Sequence, residues 1–204
     1  MRLYTMPGAC SLAANIALRE AGVPFELVKV SHHTHKTHDG VDLNEINSKG
    51  YVPALVLDNG ELLTENAALL PYIADLKPAA HLAPPNGTLE RYRLVEWLAF
   101  LNSEVHKSFS PLFVPNASED MKQYARANLA KRLGWVSQRL GSQPYLTGEH
   151  FTVADAYLFV VLSWTGHVAV DLGEWPNLKA FQERVAARPH VIEALASEGL
   201  AKKK

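Results

Sequence analysis

The sequence predicts an α/β unit followed by an all-helical unit. Three observations support this prediction: alternating apolar runs around one amphipathic helix near the amino terminus, a proline-rich stretch in the middle, and only helical patterns after it. The chain has 204 residues, enough for one large domain or two small ones, each with a core of its own. The boundary is placed at 77–88, which contains three prolines and few apolar residues. The predicted domains are residues 1–80 and 88–204.

Composition and charge describe an ordinary globular protein. Apolar residues make up 48% of the chain and charged residues 20%, and the formal net charge is −1. This charge gives no bulk attraction to nucleic acid or to anionic membranes, so we expect neither as a partner. The single cysteine excludes an intramolecular disulfide, and no apolar run approaches the length of a membrane span. We therefore predict a cytoplasmic protein, with the Lys202–Lys204 tail as a solvated terminus.

The amino-terminal elements are predicted in the order β-α-β, then β-β-α. A short apolar strand, an amphipathic helix from Leu12 and an alternating strand form a crossover between two parallel strands. An Asp58-Asn59-Gly60 turn joins the third strand to an antiparallel fourth, and Thr64 is the predicted N-cap of the following helix. The four strands are predicted at residues 3–6, 25–30, 52–57 and 61–63.

The Pro7–Ser11 turn places Cys10 at the start of the first helix. Free backbone N–H groups and the helix dipole favour an anion there, so we expect a functional thiol with a lowered pKa. A lone cysteine is more often a small buried apolar residue. The position between a strand and a helix favours the functional interpretation.

Every element after residue 88 is predicted to be helical. Thr152 precedes an apolar helix and Asp155 lies three residues later, which is the pattern of a capping box with Asp in place of Glu. We therefore assign these two residues a structural role rather than acid–base chemistry. The other helices are predicted at residues 89–109, 119–140, 176–187 and 189–196.

Four of the nine histidines lie close together, at positions 32, 33, 35 and 38. Histidine is a common metal ligand, but these residues have no carboxylate or thiolate partner at a ligand spacing. We interpret the stretch as a solvated loop beside a site and predict no metal cofactor.

Five motifs follow one another along the chain: Pro7-Gly8-Ala9-Cys10-Ser11, Gly50-Tyr51-Val52-Pro53-Ala54-Leu55, Leu63-Thr64-Glu65-Asn66, Glu104-Val105-His106-Lys107 and Phe151-Thr152-Val153-Ala154-Asp155-Ala156-Tyr157. In this order they resemble the motifs of the bacterial beta-class glutathione S-transferases, over essentially the full chain. The resemblance implies a thioredoxin-like βαβ-ββα domain followed by a helical bundle, which is the glutathione transferase fold. It also implies an enzyme that uses glutathione as co-substrate, a homodimer, and a small hydrophobic electrophile, a class that includes halogenated aromatics.

The resemblance also assigns residues to the site. Cys10 and His106 would act on the reacting thiol, with Ser11 as a further catalytic candidate, and Pro53 would be a structural cis proline that directs the Val52 backbone at the cysteinyl part of glutathione. The implied glutathione-binding residues are Cys10, His35, Val52, Pro53, Glu65, Asn66, Ser103, Glu104, His106 and Lys107. The apolar wall of the electrophile site is assigned to Phe109, Phe113, Tyr157 and Trp164.

Two positions depart from the family pattern. The chain has Ala99 where family members often carry an asparagine, and His35 where they often carry a lysine for the glycyl carboxylate. Because a histidine loses its charge above neutral pH, we expect glutathione to bind more weakly there.

Other functions stay open at this point. A mixed disulfide between Cys10 and glutathione would add thiol transfer, reductive dehalogenation or peroxide reduction to conjugation, and a second glutathione would resolve it because the chain has no other cysteine. The alternatives are a non-catalytic glutathione- or partner-binding protein of the same fold and a glutaredoxin-like reductase. Cys10, Glu65 and His106 together favour an enzyme, and the large helical domain disfavours a small reductase.

Overall fold

The computed structural model describes residues 1–201 and contains a four-stranded mixed sheet. Its strands are β1 (Arg2–Thr5), β2 (Glu26–Lys29), β3 (Ala54–Val56) and β4 (Leu62–Thr64). They lie in the order β2-β1-β3-β4, with β1 parallel to β2 and the other two pairs antiparallel. In the register, Leu3 pairs with Leu27 on one side and Leu55 on the other. The Lys202–Lys204 tail lies outside the described residues.

The helices confirm the predicted order, in which a βαβ-ββα unit precedes a helical bundle. They are α1 (Leu12–Glu20), α2 (Leu43–Ile46), α3 (Asn66–Leu76), α4 (Leu89–Phe100), α5 (Lys107–Phe109), α6 (Glu119–Leu140), α7 (Val153–Ser163), α8 (Pro176–Ala186) and α9 (Pro189–Glu198). The single turn of α2 was not predicted, since its only strong local signal is the Asp42 carboxylate that accepts from the Asn44 N–H.

Two local predictions need correction. The N-cap of α3 is Glu65, whereas Thr64 is the last residue of β4. The helix predicted over 89–109 is helical throughout, but its middle, from Leu101 to His106, is a π-helix between α4 and α5. Such π segments are rare and frequently lie at functional sites. This one contains His106.

The main apolar core is continuous across both predicted domains. It joins Leu3 and Leu55 of the sheet, Ile16 of α1 and Leu158 of α7, all of which are fully buried. A second, small cluster covers the opposite face of the sheet and includes Tyr4. The core therefore crosses the predicted domain boundary, because α1 packs on α3 of its own unit and also on α7 and α9.

No helix within residues 1–201 is long and apolar enough to cross a membrane. In the same part of the chain, no group of three or more His, Cys, Asp or Glu side chains is arranged to hold a metal ion.

Candidate functional site

Cys10 lies in the turn between β1 and α1, where three segments of the first domain meet. Its thiol donates a 3.3 Å hydrogen bond to the carbonyl oxygen of Val52, whose peptide bond to Pro53 is cis as expected. The side-chain amide of Asn66 donates a 3.0 Å hydrogen bond to the Cys10 carbonyl oxygen. These contacts hold the turn between the start of α3 and the loop before β3.

The expected lowering of the Cys10 pKa is wrong. Burial raises the pKa of the thiol to about 12, and the negative charge of Glu65 raises it further. The backbone N–H groups of Cys10 and Ser11 and the charge of Lys107 act in the opposite direction but do not outweigh burial. In this structure Cys10 is a protonated thiol that donates a hydrogen bond.

Ser11 lies on the far side of the turn, away from the cleft. It is fully buried, and its hydroxyl lies 2.7 Å from the Thr5 hydroxyl and accepts from the Met6 N–H. The Glu198 carboxylate accepts from the Thr5 hydroxyl at 2.9 Å and from the Gly8 N–H at 2.9 Å. This geometry does not support Ser11 as a catalytic donor, because its hydroxyl joins the turn to the end of α9.

Glu65 is exposed at the amino end of α3 in an unusual backbone conformation. Its φ is +67°, a left-handed value that costs energy for a residue with a side chain and often occurs at functional sites. The ammonium group of Lys49 lies 2.8 Å from a Glu65 carboxylate oxygen and donates to the Thr64 hydroxyl. Beside it, the buried Asn66 carries a side-chain oxygen with no hydrogen-bond partner.

His106 faces α7 from the π-helix. Its Nδ1 lies 2.8 Å from the Tyr157 hydroxyl, and that hydroxyl donates a 3.0 Å hydrogen bond to Oδ1 of Asn102. Burial, with a smaller contribution from the charge of Lys107, lowers the pKa of His106 to about 4. The imidazole is therefore neutral at neutral pH. Burial and the nearby Cys10 and Glu65 groups raise the pKa of Tyr157, so both groups lie within electrostatic range of its hydroxyl.

Trp164 connects this region to the Cys10 turn. Its indole N–H donates a 2.8 Å hydrogen bond to the carbonyl oxygen of Gly8, and its ring lies edge-on to His106 with 4.8 Å between centroids. Phe109 and Phe113 contact the same indole at centroid distances of 5.4 and 6.0 Å. An aromatic cluster of the helical domain therefore lies directly against the turn that carries Cys10.

Comparison with known proteins agrees with this geometry. Residues 8–76 match the family described as glutathione S-transferase, N-terminal domain, and residues 97–189 match its C-terminal domain. A glutathione S-transferase named GstA from Escherichia coli O157:H7 is 44% identical over 200 residues, which cover 98% of this chain and 100% of the relative.

The chain belongs to the glutathione S-transferase family.

Solved structures place this transferase in the bacterial beta class. A beta-class glutathione S-transferase from Sphingomonas chungbukensis is 51% identical with a TM-score of 0.95, and the match covers 98% of this chain and 100% of that one. The bacterial transferase BphK, solved as a ternary complex, is 54% identical with a TM-score of 0.96 over the same shares of the two chains. The resemblance, fold class and transferase class of enzyme inferred from the motifs are confirmed.

The remaining predicted glutathione-binding residues lie in the π-helix, at the start of α5 and in the histidine-rich loop. Lys107 is exposed beside His106 and is close enough to Cys10 to lower the pKa of its thiol. Glu104 forms an ion pair of 2.6 Å with Arg132 of α6. Ser103 is exposed on the π-helix, Ala99 is exposed on α4, and His35 is exposed in the histidine-rich loop with a φ of +55°. None of these three makes a side-chain contact with Cys10 or His106 in the described residues.

The proposed electrophile wall also needs revision. Phe109 and Tyr157 are fully buried, so neither presents surface to a substrate in this conformation, whereas Phe113 is 49% exposed. Tyr157 is a hydrogen-bonding residue rather than a wall residue. A cavity of about 980 Å³ lies elsewhere, between the linker and the helical domain and against Trp97 and Trp135; of the predicted site residues, only Thr152 lines it.

The structural assignment of Thr152 and Asp155 is confirmed. The two residues form the capping box of α7, in which one carboxylate oxygen of Asp155 accepts from both the N–H and the hydroxyl of Thr152. The other oxygen accepts from the Leu146 N–H at 2.8 Å. Burial raises the pKa of Asp155 to about 6, although these hydrogen bonds favour the charged form.

Sequence reasoning missed two residues of this region. Lys49 lies in the turn before Val52 and pairs with Glu65. Its positive charge beside a predicted ligand-binding loop could have identified it from the sequence. Asn102 lies one turn before His106. Residues four positions apart on a helix are neighbours, so this polar side chain could have been predicted to lie beside the histidine.

Proposed function

We propose that this transferase binds glutathione in the cleft between its two domains and transfers the thiol to a small hydrophobic electrophile. The domains concerned are residues 1–80 and 88–204. One observation carries the proposal: the Trp164 indole is hydrogen-bonded to the Cys10 turn and lies in contact with His106. A sphingomonad glutathione S-transferase, 48% identical with a TM-score of 0.95, was solved in complex with glutathione.

The first domain offers complementary groups for the γ-glutamyl end of glutathione. Glu65 supplies a carboxylate for the ammonium, and the free N–H groups at the amino end of α3 suit the α-carboxylate. The Val52 N–H makes no hydrogen bond within the described residues, which leaves it free for the cysteinyl carbonyl. In the free protein the Lys49 ammonium is paired with the Glu65 carboxylate. The glutathione ammonium must therefore compete with this exposed ion pair, which is worth at most about 1 kcal/mol.

The reaction proposed is nucleophilic substitution. The glutathione S–H bond breaks and its proton passes to a base or to water, the sulfur forms a bond to the electrophilic carbon, and a leaving group such as chloride departs with its electron pair. Halogenated aromatics are therefore suitable substrates. The Cys10 thiol is a hydrogen-bond donor for the developing thiolate.

Reactions through a Cys10 mixed disulfide are a slower second activity in this proposal. Cys10 would displace one glutathione from glutathione disulfide, and a second glutathione would then release the enzyme thiol. Because burial raises the pKa of Cys10 to about 12, few molecules carry the attacking thiolate at neutral pH.

The experiment compares two variants of neighbouring carboxylates, Glu65→Gln and Glu61→Gln. Glutathione binding is measured by calorimetry, and conjugation is measured with chlorodinitrobenzene as the probe. Glu65→Gln should weaken glutathione binding, whereas Glu61→Gln, a change at an exposed residue of the preceding β3–β4 hairpin, should match the wild type. Equal binding by the two variants would contradict the proposed site. Wild-type binding without turnover would support the alternative of a non-catalytic binding protein.

We also propose that the transferase is a cytoplasmic homodimer. Large apolar side chains on neighbouring elements are exposed, a pattern that marks interaction surfaces. They are Tyr51, Leu62, Leu76, Leu89, Tyr92 and Val95. The single cysteine is compatible with a reducing compartment. In light scattering, Tyr92→Asp should lower the mass to that of a monomer, while Tyr124→Asp, a change at an exposed tyrosine on α6, should not. A monomeric wild type would contradict this proposal.

A further inference from the structure

The hydroxyl of Tyr157 lies between two side chains of the π-helix. His106 Nδ1 is 2.8 Å from the hydroxyl oxygen, and Asn102 Oδ1 accepts its proton at 3.0 Å. Tyr157 is fully buried, and its helix, α7, is anchored by the capping box at Asp155. The three side chains thus form one chain of hydrogen bonds that ends on the His106 ring.

The available protons determine the direction of each hydrogen bond. A tyrosine hydroxyl has one proton, and an amide oxygen can only accept. Since the Tyr157 proton is donated to Asn102 Oδ1, the hydroxyl oxygen can only accept from His106. The Nδ1 of His106 must then carry the ring proton, and in a neutral imidazole Nε2 carries none.

We propose that Tyr157 and Asn102 are positioning residues that hold His106 in its Nδ1–H tautomer, so that Nε2 accepts the proton of the glutathione thiol. This inference rests on the proposed function. It assigns His106 the role of proton acceptor rather than hydrogen-bond donor.

The surroundings of His106 keep the ring neutral and fixed. The Trp164 ring packs edge-on against it, the Tyr157 hydroxyl is uncharged, and Lys107, the next residue at the start of α5, is the neighbouring cation. Burial and this cation lower the pKa of His106 to about 4, so the unprotonated Nε2 is present at neutral pH. The unprotonated Nε2 and the fixed orientation of the ring are two of the conditions that a proton acceptor must meet, although a pKa of about 4 makes the ring a weak base.

The proton transfer fits the substitution described above. The glutathione S–H bond breaks as an N–H bond forms at Nε2, and the sulfur keeps the electron pair with which it attacks the electrophile. The resulting imidazolium has N–H groups at both nitrogens, and Tyr157 still accepts from Nδ1. The ring returns to its starting state when Nε2 releases the proton to water.

The tautomer can be observed directly by ¹⁵N NMR, because protonated and unprotonated ring nitrogens have well-separated shifts. The His106 signals are identified as those lost in His106→Asn. The wild type should show a protonated Nδ1 and an unprotonated Nε2. Asn102→Ala removes the acceptor, so the Tyr157 proton turns to Nδ1 and the Nε2–H form should dominate. Asn102→Asp retains an acceptor and should restore the wild-type tautomer.

Kinetics with glutathione and chlorodinitrobenzene test the catalytic consequence. Tyr157→Phe and Asn102→Ala should lower kcat by roughly 10- to 100-fold, while the KM for glutathione changes less than about twofold. Tyr145→Phe is the matched control, because it removes a hydroxyl that contacts Arg188 and should change neither kcat nor the His106 signals.

Two results would overturn the inference: an Nε2–H tautomer in the wild type, or an unchanged tautomer in Asn102→Ala. Calorimetry with glutathione separates this failure from failure of the proposed function. A wild type that shows the Nδ1–H tautomer but neither binds glutathione nor catalyses conjugation would refute the proposed function and the role of Nε2 toward glutathione, while the tautomer assignment would stand.

Discussion

The indole N–H of Trp164 donates a 2.8 Å hydrogen bond to the carbonyl oxygen of Gly8, across 156 positions of the chain. Gly8 belongs to the turn that carries Cys10, and Trp164 follows α7 in the helical domain. Since the same indole packs against His106, this contact sets the position of one candidate catalytic residue relative to the other.

Removing this hydrogen bond should loosen the junction between the domains. Trp164→Phe keeps an aromatic ring but leaves the Gly8 carbonyl without its donor, so we expect a loss of about 1–2 kcal/mol in the free energy of unfolding. Glutathione affinity should fall as well. Denaturant unfolding and calorimetry measure the two effects. Trp97→Phe is the control, because the Trp97 N–H makes no hydrogen bond in the described residues, and an equal effect of both changes would refute the argument.

The thiol of Cys10 should react slowly. With its pKa raised to about 12, chiefly by burial, we expect alkylation by iodoacetamide near neutral pH to be at least about 100-fold slower than for a free cysteine. The alkylation rate of Cys10 should still rise with pH in the range where the rate for a free cysteine has already reached its plateau. Mass spectrometry follows the reaction. Lys107→Gln should slow it further by removing a nearby positive charge, and alkylation as fast as that of a free cysteine would show that the thiol is not shielded.

The Thr5–Ser11–Glu198 cluster should be important for stability. Glu198→Gln presents an amide NH₂ to a site where Thr5, Gly8 and Asn15 all donate, so one donor loses its acceptor. We expect losses of about 1–3 kcal/mol for Glu198→Gln and for Ser11→Ala, measured by denaturant unfolding. Ser48→Ala, at an exposed position, should change stability by less than about 0.5 kcal/mol. Unfolding curves that coincide with the wild type would mean that the cluster contributes nothing.

His106 should make stability depend on pH in a defined direction. Its pKa is about 4 in the folded chain and about 6.5 in an unfolded one, so the histidine binds a proton less readily when folded. Its stabilising contribution is complete above about pH 6.5 and is lost as the pH falls toward about 4, with a slope of up to about 1.4 kcal/mol per pH unit.

The variant His106→Asn isolates this contribution from those of the other histidines. Unfolding free energies of the wild type and the variant are compared at about pH 7 and about pH 5. The wild type should lose more stability than the variant between these two conditions. Parallel pH profiles would show that the pKa of His106 is not lowered on folding.

Local features of the chain were predictable because neighbouring residues specify them. The bounds of α6, Glu119–Leu140, match the prediction, and the Ser118 hydroxyl that accepts from the Met121 N–H at its start is a contact between near neighbours in the chain. The capping box of Thr152 and Asp155 was predictable for the same reason. By contrast, Thr64 is not the N-cap of α3, because Glu65 adopts a left-handed φ that no local pattern indicates.

By itself, the sequence determined the order of the strands and of the longer helices, the family, and the motifs that contain Cys10, Glu65 and His106. Only the tertiary structure decided what these side chains do. Cys10 lies near a helix start, which favours a thiolate, yet burial by distant segments raises its pKa and reverses that expectation. The Tyr157 hydroxyl meets His106 and Asn102 across more than fifty positions of chain. Burial and long-range hydrogen bonds depend on which segments pack together, and local sequence patterns do not contain that information.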